Sequence, residues 1–282
     1  MTNVPDTRLP TYFISHGGGP WPWMMDQLPG DWTPLQASLQ AIPHELGVTP
    51  RAILAVSAHW EAPEFTVQTH PNPPMYYDYG GFPEFAYHLQ YPAPGSPETA
   101  GRVTGLLDAA GIPVRQDATR GFDHGVFAPL FAAYPDADVP ILQLSLRHGY
   151  DPEVHLAAGR ALAPLRDEGV LIVGSGLSYH NLRAMGPVAK EPSRQFDDWL
   201  TATLVEAAPE QRTRALLAWD KAPSARAAHP AEDHLIPLMV AVGAAEDDHG
   251  ARTYHQDDLM GFITASGYRF GTAPGETSIR RA

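Results

Sequence analysis

Between Arg51 and Trp60 the chain reads RAILAVSAHW. Its run Ala52-Ile53-Leu54-Ala55-Val56 is apolar without alternation, the pattern of a parallel strand covered on both faces. The run gives way to Ser57-Ala58-His59-Trp60, which puts His59 at the strand's exit, the rim where open α/β sheets hold their ligands. Two other stretches share this arrangement. Tyr12-Phe13-Ile14-Ser15 leads into His16 and then Gly17-Gly18-Gly19-Pro20, whose glycines permit a tight loop of close approach. Val170-Leu171-Ile172-Val173 leads through Gly174-Ser175-Gly176-Leu177-Ser178-Tyr179 to His180-Asn181. If the three strands are parallel neighbours, His16, His59 and His180 converge on one crevice.

Working outward, apolar periodicity and turn residues predict helices over 34–46, 98–110, 126–134, 152–168, 192–208 and 209–218, and one over 227–245 interrupted at Pro237. Further strands are expected over 114–116, 139–146 and 261–271. Residues 71–97 carry too much proline and glycine for regular structure. Their seven tyrosines and phenylalanines are nevertheless too many for a disordered tether, so this segment reads as a wall or lid of a pocket. No repeat and no break in composition divides the chain. The expectation is α/β: a single domain over residues 1–282, with a central mostly parallel or mixed sheet flanked by helices and a metal site at the C-terminal ends of its strands.

The net charge is −13 and only two lysines occur, Lys190 and Lys221, which argues against nucleic acid or an anionic membrane as partner. With no cysteine, disulfides, thiolate nucleophiles, iron–sulfur clusters and Cys-type zinc sites are excluded together, so a metal must be held by nitrogen and oxygen. Residues 1–10 lack the basic and apolar parts of a secretory signal, and no apolar run approaches the roughly 18 residues of a membrane span. A soluble, cytoplasmic protein is expected, and a homo-oligomer is compatible with the sequence.

Thirteen histidines are present. A single histidine is more often a surface or hydrogen-bonded core residue than a ligand, and His44, His70, His88, His148, His155, His249 and His255 are left in that class. His16, His59, His124 and His180 differ because each follows a strand or sits in a glycine-bracketed turn, as in Gly121-Phe122-Asp123-His124-Gly125. A helix start accounts for most of Ala228-His229-Pro230-Ala231-Glu232-Asp233-His234-Leu235: Pro230 suits the first helical position and the acids suit the positive end of the dipole. His234 does not fit that account, because a cation is disfavoured there. A metal explains it, since a ligating imidazole is neutral. Histidines leaving open positions suit divalent iron or zinc, and spacing alone does not choose between them.

Taken in order, Ser15-His16-Gly17, Ser57-Ala58-His59-Trp60, Tyr79-Gly80-Gly81-Phe82-Pro83, Tyr91-Pro92-Ala93-Pro94-Gly95, Gly121 to Gly125, Gly174 to Arg183 and Asp233-His234 to Pro237-Leu238 resemble the DOPA-dioxygenase branch of the class III extradiol ring-cleavage dioxygenases, the superfamily of protocatechuate 4,5-dioxygenase. The resemblance runs from about Tyr12 to about Phe270. It implies a non-haem Fe(II) enzyme that opens a catechol, DOPA-like or a related phenolic, with O2; Zn(II) is an expected substitute in purified protein. His16 and His59 match the family's metal-binding histidines. The third ligand of the wider superfamily is a glutamate, whereas the DOPA branch resembles this chain in an acid-His pair, which implies His234, with His229, Glu232 and Asp233 as rivals. His180 matches the acid/base histidine and His124 a second pocket histidine.

On this reading His180 takes a proton from a substrate hydroxyl and later returns one, for which an imidazole pKa near 6.5 is suited. Tyr79, Phe82, Phe85 and Trp60 are candidates for packing the ring, and Arg183 and Arg120 for holding a substrate carboxylate. Two other readings use the same residues: a zinc hydrolase in which the metal activates water, and a non-enzymatic binding protein of the same fold.

Overall fold

The computed structural model describes residues 8–275. Its strands are β1 (Thr11–Ser15), β2 (Ala52–Ala62), β3 (Phe65–Gln68), β4 (Val114–Asp117), β5 (Ile141–Arg147), β6 (Val170–Gly176), β7 (Gly250–Leu259) and β8 (Ile263–Phe270). Its α-helices are α1 (Thr33–Leu46), α2 (Pro97–Ala109), α3 (His124–Ala133), α4 (Pro152–Leu162), α5 (Lys190–Thr201), α6 (Pro209–Leu217), α7 (Ala225–Ala228) and α8 (Ile236–Ala245). The strands form one mixed sheet in the order β4-β3-β5-β2-β6-β1-β8-β7. At its centre β5, β2, β6 and β1 are mutually parallel, while β8 adds antiparallel to β1, β7 antiparallel to β8, and β3 antiparallel to β5.

The centre is where the sequence is most continuously apolar. Every residue of β6, and Ala52 to Ala58 of β2, is buried. Two helix pairs achieve this: α1 packs with α3 and α4 with α8, and both α3 and α8 reach β2 and β6. Glycine permits the closest approach, since a Cβ on Gly174 of β6 would stand 2.4 Å from the Pro237 carbonyl of α8. The expected single α/β domain with a mixed sheet is what forms.

Several local expectations differ. The strands β3 and β7 lie where none was predicted. Helix 152–168 ends at Leu162 and continues as a 3-10 turn, Ala163–Arg166, because Pro164 brings no N–H to an α-helical bond. The helix expected over 227–245 is instead α7 and α8 with an irregular passage over 229–235, and Pro237 sits in the first turn of α8, where its missing N–H is harmless. Residues 71–97 contain only a 3-10 turn (Glu84–Tyr87) before α2, yet their tyrosines tie them down. The Tyr77 and Tyr79 hydroxyls each donate over 2.6 Å, to the Leu89 and Ala86 carbonyls, and the Tyr91 hydroxyl is shared between the carbonyls of Leu130 in α3 and Tyr134 just after it.

Candidate metal centre and active site

The parallel register sets the first two histidines side by side. Ser15 at the end of β1 pairs with Gly176 of β6, and Ser57 of β2 pairs with Ser175 beside it. His16 then donates its backbone N–H to the Gly176 carbonyl at 3.0 Å. Gly17 turns the chain at φ +78°, where a Cβ would collide with the Trp21 indole, whose N–H donates to the His16 carbonyl at 2.8 Å. His59 lies where the β2–β5 pairing loses register between Val56 and Glu61, an irregularity of the kind that re-aims a side chain. Ser57 accepts the His59 backbone N–H and donates its hydroxyl to buried Asp123.

His234 arrives from the passage between α7 and α8. Its carbonyl accepts the Leu177 N–H at 3.1 Å, and it lies so close over Gly176 that a Cβ there would be 2.1 Å from it. His180 follows β6 and donates its backbone N–H to the Ala228 carbonyl. His124 opens α3, with its own N–H donated to Asp78 Oδ1 at 3.0 Å.

Side-chain atoms of His16, His59 and His234 able to ligate a metal lie within 4.8 Å of one another. The other ring nitrogen of each faces a protein acceptor: His16 Nδ1 the Gly17 carbonyl at 2.8 Å, His234 Nδ1 Asp233 Oδ2 at 2.6 Å, and His59 Nδ1 Asp78 Oδ2 at 3.2 Å. At His16 and His234 these hydrogen bonds fix the tautomer and leave Nε2 free to ligate, while at His59 the carboxylate stands at ion-pair distance without a hydrogen bond. His16 Nε2 and His59 Nε2 are 3.2 Å apart, a separation suited to two nitrogens on one ion at about 2.0–2.1 Å each. Buried His234 Nε2 has no hydrogen-bond partner. The donor set therefore fits a divalent transition metal held by three neutral imidazoles. Burial supplies the neutrality: it pushes the His16 and His234 pKa values well below 6.5 and that of His59 down to about 3, with neighbouring imidazoles adding to the effect.

The rivals for the third position are engaged elsewhere. His229 is fully buried, donates Nε2–H to the Ser178 carbonyl at 3.0 Å and packs edge-on to Phe196. Glu232 pairs with Arg226 at 2.7 Å, and Asp233 orients His234. His180 stacks on His234, and burial, followed by the charge of His124, lowers its pKa to about 4. It is therefore neutral at pH 7, its pKa below the ordinary imidazole value of 6.5.

Asp78 is the residue the sequence reading missed. It is the one acid in residues 71–83, and its two oxygens face two histidines, Oδ1 accepting Nδ1–H of His124 at 2.9 Å and Oδ2 lying 3.2 Å from His59. Burial opposes the charged carboxylate, but the two imidazoles outweigh it and hold the Asp78 pKa below the usual range.

These groups open into a cavity of about 630 Å³ whose other walls include Leu28, Trp32, Phe82, Leu177, Leu182, Met185 and Met260. Phe82 comes from the aromatic segment and packs on Gly19, where a Cβ would be 2.6 Å from the ring. Tyr79 stands behind this wall, 5.3 Å from Phe82 and 5.8 Å from His124. Trp60 is buried beneath the Arg120 guanidinium at 5.1 Å, Phe85 is exposed, and Arg183 is exposed outside the cavity.

The family described as the catalytic LigB subunit of aromatic ring-opening dioxygenase matches residues 10–271. The chain belongs to the LigB family. It is 38% identical over 270 residues to a 4,5-DOPA dioxygenase extradiol of Beta vulgaris, covering 94% of this chain and 97% of that one. A 4,5-DOPA dioxygenase extradiol of Escherichia coli K12 is 37% identical, over 84% of this chain and 86% of its own length. Dioxygenase tasH of Hapsidospora irregularis is 38% identical over 89% and 82%. The crystal structure of an uncharacterized Escherichia coli K12 protein superposes with a TM-score of 0.74 at 31% identity, covering 94% of this chain and all of the other. This LigB-family chain is an extradiol aromatic ring-opening dioxygenase. Among its described residues no helix is long and apolar enough to cross a membrane.

Proposed function

We propose that this LigB-family enzyme uses Fe(II), held by His16, His59 and His234, to open the ring of a catechol, DOPA-like or a related phenolic, with O2. The observation that carries the reading is the convergence of three imidazoles on one point, one of them with a buried and partnerless Nε2. Fe(II) supplies a Lewis-acidic, redox-active centre with open coordination positions.

The chain's own residues do the rest. Neutral His180, on the face of His234, accepts the proton of a catechol hydroxyl and returns it as the ring opens, an acid–base contribution of about 10²–10⁴-fold. Asp78 Oδ1 accepts the Nδ1–H of His124 and so holds that ring against the cavity. Phe82 and the aliphatic walls exclude water and hold the aromatic ring.

Iron-reconstituted protein, prepared without oxygen, is expected to consume O2 on addition of a catechol and to form a yellow ring-fission product. Absence of uptake across a panel of catechols, with bound iron measured, refutes the proposal. Turnover that needs zinc and no oxygen points instead to hydrolysis at the same histidines.

A further inference from the structure

We infer, on the footing of the ring-cleavage reading, that the catechol taken by this site carries an uncharged, apolar substituent rather than a carboxylate. With its hydroxyls at the imidazole cluster, a substituted ring presents its substituent to Leu28, Trp32, Phe82, Leu182, Met185 and Met260. Among the described residues no lysine or arginine lines this cavity, and its only carboxylates are Asp78 and Asp233. Both acids already face imidazoles: Asp78 faces His59 and His124, and Asp233 holds His234 Nδ1.

The two arginines nearest in sequence to the site do not supply the missing cation. Arg120 donates to Asp123 Oδ2 at 2.7 Å and to the His59 carbonyl at 3.2 Å, with its guanidinium held against the rings of Trp60 and Tyr76. Leaving would strand fully buried Asp123. Arg183 is exposed outside the cavity. A substrate carboxylate would lose its water among aliphatic side chains and two like charges, the costly way to bury an ion. The overall charge of −13 opposes its approach as well. An alkyl group of the same length gains from the same walls.

The test compares 4-propylcatechol with 3-(3,4-dihydroxyphenyl)propanoate, which differ in a methyl against a carboxylate at the end of one chain, and includes L-DOPA. Anaerobic calorimetric titration of the iron-loaded protein reads binding, and oxygen uptake reads kcat/KM. We expect the propyl compound to bind at least tenfold more tightly and to show at least tenfold higher kcat/KM than either acid. In Leu182→Arg, at a side chain 68% exposed and so tolerant of charge, the ratio is expected to shift toward the propanoate by tenfold or more. Equal or better binding of propanoate or L-DOPA by the unaltered protein overturns the inference. Tighter binding of the propyl compound without oxygen uptake from any catechol sinks the ring-cleavage reading while the apolar preference stands. Failure to bind any of the three sinks both.

Discussion

The imidazoles of His180 and His234 are stacked, with ring centroids 3.2 Å apart and planes 13° from parallel. His234 turns its edge, and its free Nε2, toward His16 and His59, so a ring lying on its face would stand beside an ion held by those three without being needed to hold it. Replacing the two rings is therefore expected to separate their roles. His234→Ala should lose stoichiometric metal, whereas His180→Ala should keep it and lose about 10²–10⁴-fold in kcat. Metal analysis of both purified variants decides this, and a metal-free His180→Ala protein would make His180 a ligand.

Asp78 joins two of the site's histidines through one carboxylate. Asp78→Asn keeps the shape but removes the charge and offers an N–H where His59 or His124 needs an acceptor. Partners that orient a metal-binding imidazole typically contribute 10–100-fold to affinity, and a loss of that size is expected in chelator competition. Affinity equal to that of the unaltered protein would reduce Asp78 to a loop fastener.

The parts of the site legible in the sequence were those announced by an apolar run or by bracketing glycines: His16 and His180 follow β1 and β6, His124 lies between Gly121 and Gly125, and His59, expected past its strand, lies within β2, which runs on to Ala62. His234 was legible only as a residue out of place at a helix start. Pro237 reads as the break in that helix, whereas the chain breaks over 229–235 and the proline sits in the first turn of α8. β7 went unread because GARTYHQDDL turns only Tyr254, Gln256 and Leu259 to the core, which leaves too little alternation to see. Asp78 could not be assigned because its partners lie 19 residues before it and 46 after it, joined by loop geometry that no local pattern encodes.

Stability should fall on the acid side of neutrality for a reason outside the metal centre. His155 is buried in α4, donates Nδ1–H to the Asp151 carbonyl at 2.7 Å and accepts the Arg147 N–H on Nε2 at 3.1 Å, so only its neutral form fits. Burial lowers its pKa from 6.5 to about 4. Between those values the unfolded chain binds a proton that the folded one refuses. The contribution is whole above pH 6.5 and declines as pH falls toward 4, by about 1.4 kcal/mol per pH unit at most. Urea unfolding of metal-free protein at pH 7 and pH 5 measures the slope. His155→Gln should be less stable at pH 7 yet show a shallower decline, and an unchanged slope would rule this histidine out.

Gly176→Ala tests whether the metal centre depends on a backbone crossing that contains no ligand. The added methyl would meet the His234 carbonyl at 2.1 Å and the Phe13 ring at 3.1 Å, and a carbonyl flanked by strand and helix cannot swing away as a side chain could. The passage over 229–235 must therefore rise off β6 and carry the His234 imidazole with it. Overpacking of this kind costs about 1–3 kcal/mol of stability. Beyond that, metal affinity should drop at least tenfold, because a displacement of a few tenths of an ångström misaligns one of three nitrogens. Gly159→Ala is the control: its methyl would stand 2.3 Å from the Val240 carbonyl where α4 crosses α8, a clash of the same severity away from the histidines. Both variants should unfold more readily, but only Gly176→Ala should weaken metal binding in the folded protein. Equal metal affinity in the two would show that His234 is placed by the rest of its loop and not by its seat on Gly176.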